Sequence, residues 1–156
     1  MNSITALLVL RDSLRTNLTD PRITAGATNS RTWIHTDKPL TQATYPRIEL
    51  QKIDNPTIPI SMGMDYCEFE QLFVNVWFYT KKDFKITVNS VIYQDEQLVE
   101  YYLGLIKTTL KAQFSNLFTA GDKNYKHINT SVIAFDESTQ LHFATVTVRV
   151  AYWGNR

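Results

Sequence analysis

The stretch EFEQLFVNVWFYTKKD, residues 68–83, decides the fold of this chain. Its side chains alternate with the two-residue period of a β-strand, so that one face is wholly apolar. That face carries Leu72, Val74, Val76 and Phe78. The opposite face is still largely aromatic, and its candidate contact residues are Phe73, Trp77 and Tyr79. A strand that is apolar on both faces lies at the centre of a layered fold or packs against another protein. We therefore predict a central strand with a candidate subunit interface on its second face.

A second strand is predicted upstream, in TYPRIEL at residues 44–50. Pro46 restricts the preceding residue to extended geometry, and Ile48 and Leu50 then alternate with polar residues. Further upstream, the apolar spacing from Ile4 to Leu18 predicts an N-terminal helix. Between helix and strand, residues 20–30 have the composition of a loop, and a short strand is expected at residues 31–36.

The segment from residue 54 to residue 67 lies between the two main strands. Its two prolines and its turn-forming residues predict a protruding loop or a loose hairpin. The segment borders an acidic patch, because residues 53–80 contain no lysine or arginine. We expect Asp54, Asp65 and Glu68 to contact a partner protein through this loop.

Two further elements follow the central strand. Residues 94–118 keep a 3.6-residue apolar stripe, which predicts a long helix, and Gly104 inside it predicts close approach of another element. A closing hairpin follows, and its last strand has a polar face formed by Thr145, Thr147 and Arg149. That face is expected to meet water or a polar partner.

The order of elements predicts an α+β fold. We expect a single domain over residues 1–156, in which one long helix backs an antiparallel or mixed β-sheet and a further helix lies at the N-terminus. A content of 44% hydrophobic and 12% aromatic residues is ample for a packed core.

The charge balance disfavours a protein that grips nucleic acid, since 16 basic and 15 acidic residues leave a net charge of only +1. The N-terminus lacks the basic region and cleavage site of a signal peptide, and no run of about 18 apolar residues predicts a membrane span. Cys67 is the only cysteine, so an internal disulfide is impossible. We expect a soluble protein made inside the cell.

Candidate catalytic groups are few. The chain has none of the common nucleotide-binding or hydrolase motifs. His127 and His142 could face each other across the final hairpin, but two imidazoles without a third ligand make a poor metal site. Glu68 and Glu70 could approach as a carboxylate pair, although a solvated strand end explains them as well. We expect neither an enzyme nor a cofactor or metal site.

The order of elements, together with TYPRIEL at 44–50 and LFVNVWFY at 72–79, resembles the tail terminator proteins of long-tailed bacterial and archaeal viruses, also called tail completion or tail-to-head joining proteins. The resemblance implies a structural virion protein that is assembled in the host cytoplasm. It implies a ring, usually a hexamer, that sits on the head-proximal end of the tail tube, stops tube growth and joins the tail to the head connector. DNA would pass through the lumen without specific binding.

Three alternatives stay open at this point. The chain could be another neck or head-completion protein of the same virions, a small non-catalytic α+β module that binds a ligand, or a small hydrolase that uses Glu68 and Glu70. The mass in solution separates the ring-forming protein from a monomeric module or hydrolase.

Overall fold

A computed structural model describes residues 3–26, 33–37, 44–54, 57–62, 65–117 and 124–154, with side chains outside 54–70, 114–126 and 152–154. The helices are α1 (Ser3–Asn17), α2 (Pro21–Thr24) and α3 (Asp95–Leu117). The strands are β1 (Ile34–Thr36), β2 (Arg47–Asp54), β3 (Thr57–Met62), β4 (Asp65–Lys81), β5 (Lys85–Val88), β6 (Val91–Gln94), β7 (Asn124–Thr130), β8 (Ala134–Asp136) and β9 (Leu141–Gly154).

A seven-stranded sheet organises the molecule, with β4 and β9 at its centre. Its main path runs β1-β2-β4-β9-β7, while β3 also pairs with β4 and β8 also pairs with β9. β1 is parallel to β2, and the other pairs of this sheet are antiparallel. Strands β5 and β6 form a separate two-stranded ribbon. The predicted α+β fold with a mixed sheet is confirmed.

One face of the sheet forms the core. The alternation predicted for the central strand is confirmed, because Leu72, Val74, Val76 and Phe78 are fully buried. Buried residues of both α1 and α3 belong to the same cluster, so two helices back the sheet rather than one. At its centre the Phe78 ring stacks on Tyr102 of α3, with centroids 4.7 Å apart and an interplanar angle of 9°.

The N-terminal region differs in detail from its prediction. Helix α1 forms as expected, but its buried face includes Ala6, whereas Ile4 is 69% exposed. The loop expected at residues 20–30 contains the short helix α2, because Asp20 caps it and Pro21 suits a first helical position. Residues 27–30 lie outside the described residues.

Of the two forms predicted for the segment from 54 to 67, a protruding loop or a loose hairpin, the described residues have the antiparallel pairing of a hairpin. β3 pairs with the first part of β4, in a register from Thr57 opposite Glu70 to Met62 opposite Asp65. Pro59 lies within β3, which pairs only with β4 among the described strands, and an edge strand tolerates proline. Asp54 ends β2, and Asp65 and Glu68 lie on β4, so the three candidate contact residues belong to strands.

Helix α3 begins at Asp95, and its buried residues follow the predicted 3.6-residue spacing. The stripe consists of Leu98, Val99, Tyr102, Leu103, Ile106 and Leu110. The expectation about Gly104 is wrong within the subunit, because an added methyl group there would meet no atom within 4 Å. The residue lies on the side of α3 that faces away from the core, where sequence spacing alone cannot tell open space from a close neighbour.

The predicted closing hairpin is confirmed, but its first strand is divided into two. β7 and β8 both pair with β9, and residues 131–133 separate them. The predicted inward face of β9 is fully buried at Ala144, Val146, Val148 and Val150.

Candidate functional site

The strand register brings two predicted surfaces together on the face of the sheet opposite the core. Trp77 of β4 lies opposite Thr145 of β9, and Phe73 lies opposite Arg149. The aromatic interface strand and the polar strand face are therefore neighbours on one surface, which we call the helix-free face. Its aromatic side chains are only partly buried and do not belong to the core cluster.

An aromatic cluster occupies one end of this face. Trp77 and Tyr79 stack with centroids 6.0 Å apart, and Phe143 lies 5.7 Å from Tyr79 and 6.2 Å from Trp77. Tyr45 adds a fourth ring, 6.3 Å from Tyr79. Strand alternation aims these rings to the same side, because Tyr79 and Phe143 are directly opposite each other in the β4–β9 register.

A buried ion pair lies beside the aromatic cluster. Nη2 of Arg47 is 2.6 Å from Oε1 of Glu49, and Glu49 is only 5% exposed. The Arg47 guanidinium also lies over the rings of Tyr45 and Tyr79, at 4.3 and 5.7 Å from their centroids. The ring stacking and the carboxylate together fix the position of the guanidinium at this end of the face.

Burial alters the titration of groups around this pair. Burial, followed by the nearby Glu49 carboxylate, raises the pKa of Tyr79 to about 12. On the neighbouring strand, burial lowers the pKa of His35, and the charges of Arg15, Arg47 and Arg22 add to that effect. Near neutral pH, His35 is therefore neutral and Tyr79 keeps its proton.

A surface depression of about 380 Å³ opens in front of the ion pair. It is lined by Asp37, Glu49, Gln51, Trp77 and Tyr79. The indole Nε1 of Trp77 donates to Oε1 of Gln51 at 3.3 Å, which holds the ring at the rim. Two carboxylates and two aromatic rings around one depression suit a cationic side chain.

The polar part of the face uses its hydroxyl groups internally. Thr147 donates to Oδ1 of Asn75 at 2.6 Å, and Thr145 donates to the carbonyl oxygen of Val76 at 3.3 Å. Thr145 is only 8% exposed. Of the three residues predicted to form the polar strand face, Arg149 is the one whose Nε is buried and has no hydrogen-bond partner among the described atoms.

The structure does not bring His127 and His142 together. His127 pairs in register with Val148, whereas His142 lies opposite Phe135 and Thr80, so the two imidazoles do not face each other. Among the described residues, no three of His, Cys, Asp and Glu are grouped as metal ligands would be. The side chains of Glu68 and Glu70 lie outside the described ones.

Sequence reasoning missed the contribution of Arg47, Glu49 and Phe143 to the helix-free face. Arg47 and Glu49 appeared as polar residues that alternate with Ile48 and Leu50, a pattern typical of a solvated strand face. Their charge pattern, opposite signs two residues apart on one face, was the available signal. The register that sets Arg47 opposite Tyr79 and Glu49 opposite Trp77 was not readable from the sequence.

No protein-family model matches the chain, and no curated protein matches it. Twenty-five chains of solved structures match. One of them belongs to a structure described as the virion of a native gene transfer agent particle, with 10% identity and a TM-score of 0.46, over 95% of this chain and 94% of that chain. Within the described part of the chain, no helix is both long and apolar enough to cross a membrane.

Proposed function

We propose that this chain is a structural virion protein that forms a ring at the head-proximal end of a tail tube. The ring ends tube growth and joins the tail to the head connector, and the protein has no catalytic role. The observation that carries the proposal is the helix-free face, where partly buried Trp77, Tyr79 and Phe143 lie beside the Arg47–Glu49 ion pair on a surface that no core packing requires.

An ordered aromatic surface of this kind suits contact with another protein. Aromatic residues and arginine are enriched at the centres of protein interfaces, whereas isolated lysines and glutamates are depleted there. The cluster also contributes rigid side chains, so little conformational entropy is lost when a partner covers it. Phe73, Trp77 and Tyr79 are therefore proposed to contact a neighbouring subunit.

Two other surfaces complete the proposal. The hairpin of β3 with β4 is proposed to contact the tube or the connector through Asp54, Asp65 and Glu68. Their charges would determine the orientation of docking more than its affinity. Arg149, with Thr145 and Thr147, is proposed to border the lumen through which DNA passes. A chain with a net charge of +1 would let DNA slide rather than hold it.

The test is a tube-length assay with the cognate tube protein. Tubes polymerised with saturating parent protein are expected to be shorter in electron micrographs than tubes polymerised alone. Trp77→Ser should restore long tubes while near-ultraviolet circular dichroism shows a folded subunit. The matched control is Val132→Ser, which removes an apolar side chain that is 86% exposed in the segment between β7 and β8 and belongs to neither main central strand.

The same assay can refute the proposal. Tubes that grow equally long with saturating parent protein, which itself stays monomeric beside them, rule out a terminator ring. Another neck protein of the same virions would form a ring but leave tube length unchanged, and mass in solution combined with tube length separates the two.

A further inference from the structure

The outer side of α3 carries a charge gradient that the proposed function does not use. Glu96 and Glu100 are exposed in its first half, and Lys107 and Lys111 lie in its second half. None of the four forms an ion pair with another described residue. This side points away from the sheet, because the opposite side of the helix is buried in the core cluster.

The helix-free face also carries charges of both signs at separate places. At its aromatic end, the carboxylates of Asp37 and Glu49 line the depression beside Trp77 and Tyr79, and Arg47 pairs with Glu49. Further along β9, Arg149 lies opposite Phe73, and its buried Nε has no hydrogen-bond partner among the described atoms. The outer side of α3 and the helix-free face therefore each carry carboxylates at one place and a cation at another.

The distance between the opposite charges is similar on the two surfaces. Along α3, eleven residues separate Glu100 from Lys111, which corresponds to about 17 Å at 1.5 Å per residue. On the sheet, Glu49 is two strands across from Thr145, and Arg149 is four residues further along β9. Two strand spacings and four residues of rise therefore separate Glu49 from Arg149 by a diagonal of roughly 17 Å.

The middle of the helix offers room for contact. Gly104 lies between Glu100 and Lys111 with open space around it. It borders a surface depression of about 540 Å³ whose apolar lining includes Ile92, Tyr101 and Leu105. Ile92 is 58% exposed and its neighbour Val91 is 50% exposed, so the two residues form a small apolar patch beside the helix.

We propose that the outer side of α3 in one copy packs on the helix-free face of the next copy, with Lys111 in the depression at Trp77 and Glu100 towards Arg149. The identification of the occupant as a second copy rests on the proposed ring. The outer side of α3 and the helix-free face are different surfaces on opposite sides of the subunit, so the contact is head-to-tail. Such a contact closes into a ring when the rotation from one copy to the next divides a full turn evenly.

Charge exchange between the two surfaces tests the proposal. Gln51→Lys places a cation in the depression, and Lys111→Glu reverses the charge in the second half of α3. Both positions are exposed. Each variant alone should raise the concentration needed for half-assembly by about tenfold, since a favourable pair becomes a repulsive one. Glu100→Lys should act in the same direction, and Glu137→Lys, on the turn before β9, is the control with the same charge change.

Mixing the two variants is the decisive step, measured by sedimentation velocity at low salt. In an alternating ring, the lysine introduced at position 51 of one chain would face the glutamate introduced at position 111 of the next chain. At every other contact, a native depression would face a native Lys111. An equal mixture of Gln51→Lys and Lys111→Glu chains should therefore assemble nearly as well as the parent. Gly104→Leu should block assembly without lowering the melting temperature of the subunit.

The outcomes separate the interface from the ring. If the parent assembles and the reversals have no more effect than Glu137→Lys, or if the mixture fails to recover, the proposed interface is wrong while the ring stands. A parent that remains monomeric at high concentration and at tube ends overturns both.

Discussion

Replacement of Gly104 by alanine should stabilise the subunit, because the glycine serves no purpose inside it. The residue lies well within α3, and its added methyl group would meet no atom within 4 Å. Gly104 does not have a positive φ, so alanine introduces no backbone strain at this position. The change therefore removes the conformational cost of a helical glycine without a new clash.

The magnitude follows from helix propensity. Glycine is about 0.8–1.0 kcal/mol less favourable than alanine in a helix interior, and reduced freedom of the unfolded chain accounts for part of this. We expect a gain of about 0.5–1 kcal/mol in the free energy of unfolding. For a chain of 156 residues that gain corresponds to a rise of about 1–4 °C in melting temperature.

The assay is urea unfolding followed by far-ultraviolet circular dichroism, on protein dilute enough to stay unassembled. The midpoint should rise while the slope of the free energy against urea is unchanged. Ala112→Gly is the matched control, because Ala112 is exposed in the same helix and should lose about as much as Gly104→Ala gains.

One result would refute the reasoning. If Gly104→Ala lowers the midpoint while Ala112→Gly behaves as expected, another element does approach Gly104 in the folded subunit. The close contact predicted from the sequence would then be restored.

Three further changes test the core, the helix-free face and the lone thiol. Phe78→Ala should lower the free energy of unfolding by about 3–5 kcal/mol, as measured by urea unfolding, because a fully buried ring stacked on Tyr102 leaves a cavity; a loss below about 1 kcal/mol would contradict this packing. The pKa of Tyr79 is raised from 10.0 to about 12, so its contribution to stability is complete below pH 10 and is lost as the pH rises towards 12. Tyr79→Phe should make unfolding midpoints less sensitive to pH over that window, and an unchanged slope would argue against the burial of the phenol. Cys67→Ser should fold and assemble like the parent, and loss of assembly in a folded variant, seen by size-exclusion chromatography, would show that the thiol has a role.

What could be read from the sequence was the set of local preferences. The two-residue period identified the buried faces of β2, β4 and β9, and the 3.6-residue period identified α1 and α3. These predictions hold because the direction in which a side chain points depends on its own strand or helix. The α+β class followed from the order of those elements.

The tertiary structure decided which residues meet. Strand register set Trp77 between Glu49 and Thr145 and set Tyr79 between Arg47 and Phe143, which created the aromatic cluster beside the Arg47–Glu49 ion pair. It also turned the proline-rich segment before β4 into a hairpin. Pairing partners and the space around a residue such as Gly104 depend on contacts between distant parts of the chain, and no local pattern of side chains encodes them.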